Sequence, residues 1–95
     1  MDRNIVDPFT DFARTLARLH EPDLVERFLR EILTPAEAAD LGSRWELLKR
    51  LEAGETQRAI ARSLHLSLCK ITRGSRELKK PGSALRQVLS RFHPA

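Results

Sequence analysis

The sequence predicts an all-α protein of six helices. Apolar residues recur at helical spacing in successive stretches of the 95-residue chain, and proline, glycine and capping residues separate these stretches. Leu, Ala, Arg and Glu dominate and no β-branched run is present, so strands are not expected. With 41% hydrophobic and 32% charged residues, the chain has the composition of a folded protein. We therefore interpret residues 1–95 as a single domain.

Two amphipathic helices are predicted in the first third of the chain. The first has apolar residues at spacings of four and three, namely Ile5, Phe9, Phe12, Leu16 and Leu19. Residues 20–23, which include Pro22, are expected to break this pattern. A wider apolar face follows, formed by Leu24, Val25, Phe28, Leu29, Ile32 and Leu33. Because a short chain buries only a small share of its surface, we expect an interlocked homodimer whose core helices lie within residues 5–54.

The clearest start of a helix lies at residues 34–37. Thr34 supplies a cap oxygen, Pro35 suits the first helical position, and Glu37 can complete a capping box. Gly54 is suited to a left-handed C-cap. The side chains expected to point inward are Ala38, Leu41, Trp45, Leu48 and Leu51. Gly42 costs about 1 kcal/mol relative to alanine inside a helix, so we expect another backbone to pack closely against it.

Residues 57–78 read as two short helices joined by a tight turn. Their apolar positions, with Leu66 between the two patterns, are Ile60, Ala61, Leu64, Leu68 and Ile71. Ser67 suits the N-cap of the second helix. Two such helices with a basic outer face are typical of the helix-turn-helix, whose second helix enters the DNA major groove. We expect this unit at residues 56–79, then a turn, then a C-terminal core helix at residues 83–92.

Charge is divided unevenly along the chain. The net charge is +4, but residues 1–43 carry five Lys/Arg against nine acids, and residues 44–95 carry twelve against four. A basic helical unit indicates a polyanionic partner, because each neutralised phosphate releases counterions. A solvated charged surface, or a surface for an acidic protein, is the alternative.

Several classes of function lack a signature in the sequence. The single Cys69 excludes an intramolecular disulfide, and no metal-ligand spacing is present, so we expect no metal site. No paired acids or nucleophile–base set indicate an enzyme. An apolar run of about 18 residues and a secretion leader are both missing, so we expect a cytoplasmic protein with no membrane partner.

The run of residues 33–89 resembles the tryptophan repressor family. The shared elements are Leu33-Thr34-Pro35, Leu41-Gly42 with Arg44, Gly54-Glu55, Gln57-Arg58, and Ile71-Thr72-Arg73-Gly74-Ser75 with Leu78-Lys79. Gly74 makes the resemblance specific, because a generic helix-turn-helix protein has an apolar residue there. In the first 32 residues the resemblance rests only on the pattern and length of the helices. The resemblance implies an intertwined helical dimer that binds operator DNA only when the corepressor L-tryptophan is bound.

An effector site follows from this resemblance. Arg73 is suited to hold the ligand carboxylate, and the planes of Arg44 and Arg73 can sandwich an indole. Gly74 would leave room for the ring, while backbone carbonyls near Leu33 and the Thr34 hydroxyl would face the ammonium. Glu77 stands where the best-known members have serine, and it would either hold the ammonium or pair with Arg73. The expected effector-binding residues are Leu33, Thr34, Arg44, Arg73, Gly74 and Glu77, with no other cofactor.

The DNA contacts are expected along residues 57–80. Arg58 is best suited to a bidentate contact with guanine. The start of the second helix should approach base edges, and the surrounding polar residues should contact phosphates. The expected DNA-binding residues are Gln57, Arg58, Ser67, Leu68, Cys69, Lys70, Thr72, Ser75, Arg76, Lys79 and Lys80. Familiar members have lysine at Ala61 and glycine at His65. The alternative function is a helix-turn-helix protein of the same superfamily without tryptophan control.

Overall fold

A computed structural model describes residues 6–94, and within that range it contains six α-helices and no strand. The helices are α1 (Pro8–Ala17), α2 (Pro22–Ile32), α3 (Pro35–Glu52), α4 (Gln57–Leu64), α5 (Leu68–Lys79) and α6 (Ala84–Phe92). The all-α prediction is confirmed, although Ile5 lies outside the described residues. By its internal contacts the chain divides into two units, Met1–Ala38 and Ala39–Ala95.

The two helices of the first unit both begin at a proline. Asp7 caps α1, because its carboxylate accepts hydrogen bonds from the N–H groups of Phe9 (3.1 Å) and Thr10 (3.2 Å). Pro22 is the first residue of α2, where its missing N–H costs nothing. The expectation that residues 20–23 separate the two helices was therefore wrong for residues 22 and 23, which already belong to α2. Leu19 was also misplaced, since α1 ends two residues before it.

The apolar faces of α1 and α2 are only partly covered. The rings of Phe12 and Phe28 pack at a centroid distance of 5.7 Å. Neither helix has a fully buried residue, and the side chain of Phe9 is 75% exposed. The first unit therefore presents apolar surface that its own two helices do not cover.

Both ends of α3 follow the predicted local signals. The N–H of Glu37 donates to the Thr34 hydroxyl (3.1 Å), and the N–H of Thr34 donates to the Glu37 carboxylate (2.8 Å). At the other end, Gly54 has a φ of +95° and Glu55 donates to the carbonyl of Arg50 at 3.0 Å. The capping box and the left-handed C-cap are thus both confirmed.

Two clusters of buried side chains form the core of the second unit. One consists of Leu47, Ile60 and Ile71. The other consists of Leu48, Leu78 and Leu89. The consecutive residues Leu47 and Leu48 of α3 belong to different clusters, and α5 supplies one residue to each. Helices α3 and α5 therefore share both clusters, with α4 completing the first and α6 the second.

The single inward stripe predicted for α3 was partly wrong. Leu41 is 46% exposed, whereas Leu47, which was not in that stripe, is buried. A helix covered on two sides buries adjacent residues, and a one-stripe pattern does not describe it. Leu68, an apolar position of α5 that is also one of the predicted DNA-binding residues, is 49% exposed at the first position of the helix.

Arg50 ties the end of α3 to α4. Its Nε lies 2.9 Å from a carboxylate oxygen of Glu46, one turn earlier on α3, and its Nη1 donates to the hydroxyl of Ser63 at 2.7 Å. Since Ser63 lies on α4, this bond orients α4 relative to the helix that supports it. The positions of α4 and α5 thus depend on polar as well as apolar contacts.

Gly74 lies where α5 crosses the leucines of α3. A Cβ at this position would come within 3.1 Å of Leu47 Cδ1 and 3.3 Å of Leu48 Cδ2. Both leucines are buried and have little room to shift. Apart from the adjacent residues and the nearby backbone of α3 itself, no atom of the described chain lies within 4 Å of a Cβ built at Gly42. Among the described residues no other backbone therefore packs against Gly42 as expected, and the tight contact lies instead at Gly74, where the neighbours are leucine side chains of α3.

Replacing Gly74 by alanine should destabilise the protein. The added methyl group would force two packed leucines apart, and such overpacking costs about 1–3 kcal/mol, more than the gain of ~1 kcal/mol in helix propensity. Urea unfolding followed by circular dichroism measures the change in free energy of unfolding.

Gly42→Ala is the matched control, because it makes the same chemical change in an open helical position. It should raise the free energy of unfolding by up to ~1 kcal/mol. A Gly74→Ala protein as stable as Gly42→Ala would contradict the packing described for α5.

Candidate functional site

Helices α4 and α5 are each started by a hydroxyl cap. The Thr56 hydroxyl accepts a hydrogen bond from the N–H of Ala59 (3.1 Å), and the Ser67 hydroxyl accepts one from the N–H of Lys70 (3.4 Å). The predicted N-cap at Ser67 is therefore confirmed. The two helices are joined by residues 65–67 alone, so α5 follows α4 after a tight turn.

His65 has the left-handed backbone conformation that the turn requires. Its φ is 55° and its ψ is 41°, and its N–H and that of Leu66 both donate to the carbonyl of Ala61. Leu66 then packs against the first buried cluster. The residue that replaces the expected glycine therefore adopts the conformation glycine adopts most easily.

Exposed cations are concentrated on α4 and α5. Residues 57–80 contain seven Lys/Arg and one acid. Five of these cations make no ion pair with any residue from 6 to 94, namely Arg58, Arg62, Arg73, Arg76 and Lys79. Arg62 was not among the predicted DNA-binding residues, although its exposed position on α4 matches that of Arg58. This basic surface can attract a polyanion.

The other predicted DNA-binding residues have partners within the protein or lie at the start of α5. The Thr72 hydroxyl donates to the side-chain oxygen of Gln57 at 3.3 Å, which links α5 to α4. Lys70 lies 3.5 Å from Asp40, and Lys80 lies 2.8 Å from Glu77. Ser67, Leu68 and Cys69 are exposed at the N-terminal end of α5, and Ser75 is half-buried.

A cleft of about 210 Å³ lies between α3 and α5 in the second unit. Its apolar lining consists of Leu47, Leu48, Leu66, Gly74 and Leu85. Its polar lining consists of Asp40, Ser43, Arg44, Lys70, Arg73 and Glu77. A cleft that joins an apolar floor to charges of both signs suits a small ligand with an apolar part and charged ends.

Four of the six predicted effector-binding residues line this cleft. They are Arg44 on α3 and Arg73, Gly74 and Glu77 on α5. Leu33 and Thr34 belong to the first unit. The Thr34 hydroxyl oxygen accepts one hydrogen bond in the capping box of α3, and a hydroxyl oxygen can accept a second. Gly74 has a packing role that the sequence did not reveal, since its missing side chain is required by the α3 leucines.

Asp40 is a cleft residue that the sequence interpretation missed. One of its carboxylate oxygens lies 3.1 Å from Arg44, and the other lies 3.5 Å from Lys70. The pair with Arg44 has the i,i+4 spacing that a sequence displays. The pair with Lys70 joins residues 30 positions apart, and no local pattern indicates it.

Glu77 forms no ion pair with Arg73, one of the two partners considered from the sequence. Its carboxylate lies 2.8 Å from the ammonium of Lys80. The hydrogen bond from Lys80 lowers the pKa of the Glu77 carboxyl, and the charges of Lys80 and Arg73 act in the same direction. Glu77 is therefore ionised at neutral pH, and Arg73 is left without an ion pair among residues 6–94.

Two further observations concern other classes of site. In the described part of the chain, no three His, Cys, Asp or Glu side chains are grouped so that they could hold a metal ion. None of the helices in that part is long and apolar enough to cross a membrane.

A family model described as Trp repressor protein matches residues 8–93. The match starts at the first residue of α1 and ends at the residue that caps α6. It therefore includes all six helices, and it also covers the N-terminal region in which the sequence resemblance rested on helix pattern alone.

Substitutions of His65 should change stability in opposite directions. Glycine at this position should raise the free energy of unfolding by up to ~1 kcal/mol, because a left-handed conformation is unfavourable for residues with a Cβ. Valine should lower it, because a β-branched side chain is strained at positive φ. Thermal unfolding of the two variants provides the measurement, and a valine variant as stable as the glycine variant would disprove the conformation described for the turn.

Proposed function

The chain belongs to the Trp repressor family, and on this premise we propose that it is a tryptophan-dependent transcriptional repressor. Members of this family are DNA-binding regulators of transcription. In the proposal, a homodimer binds double-stranded operator DNA when L-tryptophan occupies the cleft as corepressor. The genes controlled would be those of tryptophan biosynthesis or salvage, and the protein would act in the cytoplasm without catalysing a reaction.

The proposal rests mainly on one feature of α5, which contributes side chains both to the cleft and to the exposed basic surface. Arg73, Gly74 and Glu77 line the cleft, while Arg76 and Lys79 of the same helix are exposed cations without an ion pair among residues 6–94. A ligand held between α3 and α5 would restrict how α5 is presented. It would favour DNA binding only by the difference in its affinity for the two arrangements of the helix.

We assign the ligand contacts by chemistry. Arg73 has no competing ion pair among the described residues and would bind the carboxylate of tryptophan. The guanidinium planes of Arg44 and Arg73 would contact the indole faces, a cation–π interaction of about 0.5–2 kcal/mol. Leu33, through its carbonyl oxygen, and Thr34, through its hydroxyl oxygen, are proposed to accept hydrogen bonds from the ammonium.

The proposed DNA-binding unit spans residues 56–79. Arg58 would contact a guanine edge, and the exposed start of α5 would lie along the bases with few direct hydrogen bonds. The proposed phosphate contacts are Gln57, Lys70, Ser75, Arg76, Lys79 and Lys80, and the residues near the bases are Ser67, Leu68, Cys69 and Thr72. Phosphate contacts would position the protein, and the base contacts would select the operator.

Exposed apolar side chains support the proposed homodimer. In the first unit Phe9 and Ile32 are exposed, and in the second unit Val88 and Phe92 on α6 are exposed, with Phe92 at 70%. Such surfaces are unusual on a small monomer and are typical of a subunit interface. We propose that residues 5–54 form the dimer core and that residues 83–92 contribute the C-terminal core helix.

A DNA-binding protein without tryptophan control is the second candidate. Packing against Leu47 and Leu48 is a sufficient reason for Gly74, so the glycine does not require a ligand. Arg44 also already has a partner in Asp40. These two observations favour the second candidate, and a measurement of ligand response separates it from the first.

An operator probe can be obtained by enriching randomised duplexes on the protein in the presence of L-tryptophan. Gel-shift titration of that probe should then show tighter binding with L-tryptophan than without it, by a factor of about 5–150, which is the usual range of allosteric coupling. Equal affinity in both conditions would contradict tryptophan control. A duplex affinity that falls steeply with salt concentration and that differs between DNA sequences would distinguish a DNA-binding protein from one that binds an acidic protein.

Arg73→Ala should abolish the ligand response while leaving part of the DNA affinity. Arg76→Ala is the matched control, since it removes an exposed cation from the same helix outside the cleft lining. Arg76→Ala should weaken DNA binding equally with and without L-tryptophan. It should also reduce the slope of log DNA affinity against log salt concentration by about 1. An intact response in Arg73→Ala would remove Arg73 from the proposed role.

A further inference from the structure

Of the seven lysines and arginines in residues 57–80, Lys70 is paired with an acid of another helix. Its ammonium lies 3.5 Å from Oδ1 of Asp40, which is 30 positions earlier on α3. Lys80 is paired with Glu77, three residues before it, and the other five make no ion pair among residues 6–94. No other hydrogen bond or ion pair of the described residues joins α3 to α5. The first turn of α5 is therefore tied to α3 by one pair of opposite charges.

Lys70 belongs to the part of α5 that is proposed to approach DNA. It is the third residue of the helix, and its N–H donates to the hydroxyl of Ser67, the N-cap. The first turn of α5 has no acidic residue of its own. Asp40 therefore brings a negative charge from α3 to the end of α5 at which a phosphate is proposed to bind.

The contact between Asp40 and Lys70 can be exchanged at small cost. The two side chains are 49% and 58% exposed. Ion pairs of this kind contribute little to stability, because water screens them and two flexible side chains must be held in one geometry. The other oxygen of Asp40, Oδ2, lies 3.1 Å from Arg44 on the same helix. Asp40 therefore keeps one partner when it releases Lys70.

A phosphate that approaches Lys70 meets the charge of Asp40 in either of two arrangements. If the phosphate replaces Asp40, the ion pair must first be broken. If Asp40 stays in place, two anions lie beside one ammonium ion, and their mutual repulsion weakens the new contact. Asp40 opposes binding of the phosphate in both arrangements.

We propose that Asp40 is an autoinhibitory carboxylate, which holds Lys70 in the free protein and so lowers the affinity of the helix-turn-helix for DNA. This inference rests on the proposed function, since Lys70 is taken to contact a phosphate of the operator. Because the group displaced from Lys70 belongs to the protein, the contact releases fewer counterions than an unpaired lysine would release. Asp40 thereby weakens the attachment to phosphates, the part of binding that does not depend on DNA sequence.

Fluorescence anisotropy of the labelled operator duplex, titrated with the full-length protein at several salt concentrations, tests this role. Saturating L-tryptophan is present throughout, so that a change in ligand affinity through Arg44 does not affect the result. Asp40→Asn, which keeps the size and removes the charge, should raise the DNA affinity about two- to fivefold per subunit, the range of an exposed ion pair. The slope of log DNA affinity against log salt concentration should become steeper by up to about 1 per subunit.

Further variants separate this contact from other effects of the substitution. Asp40→Ala should give the same gain, and circular dichroism checks that each variant retains its helices. In a Lys70→Ala background Asp40→Asn should give little gain, because the cation that Asp40 holds is missing. Glu26→Gln is the matched control for charge, since it removes one acid and its i,i+4 pair with Arg30 at 2.9 Å. Its DNA affinity should stay close to that of the wild type.

The outcomes separate the role of Asp40 from the proposed function. An unchanged or lower DNA affinity in Asp40→Asn overturns the inhibitory role and leaves DNA binding intact. An equal gain in the absence of Lys70, or an equal gain in Glu26→Gln, also overturns it, since neither depends on the contact with Lys70. Wild-type protein that binds no duplex overturns the proposed function and this inference with it. A gain that requires both the Asp40 substitution and the presence of Lys70 supports both.

Discussion

The contact between α5 and α3 at Gly74 is the constraint on which the rest of the second unit depends. The two helices approach so closely that a methyl group at Gly74 would press on Leu47 and Leu48, the residues that connect the two buried clusters. Ile71 and Leu78 hold α5 on either side of this point. With α5 fixed against α3, residues beside this contact line the cleft, and the exposed side chains of α5 present cations.

This arrangement gives a physical reason for a ligand to affect a distant surface. The cleft walls belong to different helices, so a bound ligand would add contacts between α3 and α5. The exposed cations of α5 would then be held in fewer arrangements. Asp40 provides a second link, since it joins Arg44 in the cleft to Lys70 near the start of α5. The size of the effect equals the difference in ligand affinity between the arrangements.

The structure agrees with the sequence where the cause is local, and it differs where the cause is long-range. The caps at Thr34 and Ser67 depend on residues three positions apart, so the sequence displays them. The burial of Leu47 depends on two helices that pack against α3, which a single periodic stripe does not describe. The pairing of Lys70 with Asp40 joins distant positions. From the sequence, Gly74 was interpreted only as space for a ligand, because the two leucines that it contacts lie 26 and 27 residues earlier in the chain.

The proposed coupling between the cleft and the proposed DNA-binding surface would act in both directions. Calorimetric titration of L-tryptophan into the full-length protein, alone and saturated with the enriched operator duplex, measures this reciprocity. We predict tighter L-tryptophan binding in the DNA complex, by the same factor by which L-tryptophan raises the affinity for DNA. Equal L-tryptophan affinity in the presence and absence of DNA would contradict the coupling of the two sites through α5.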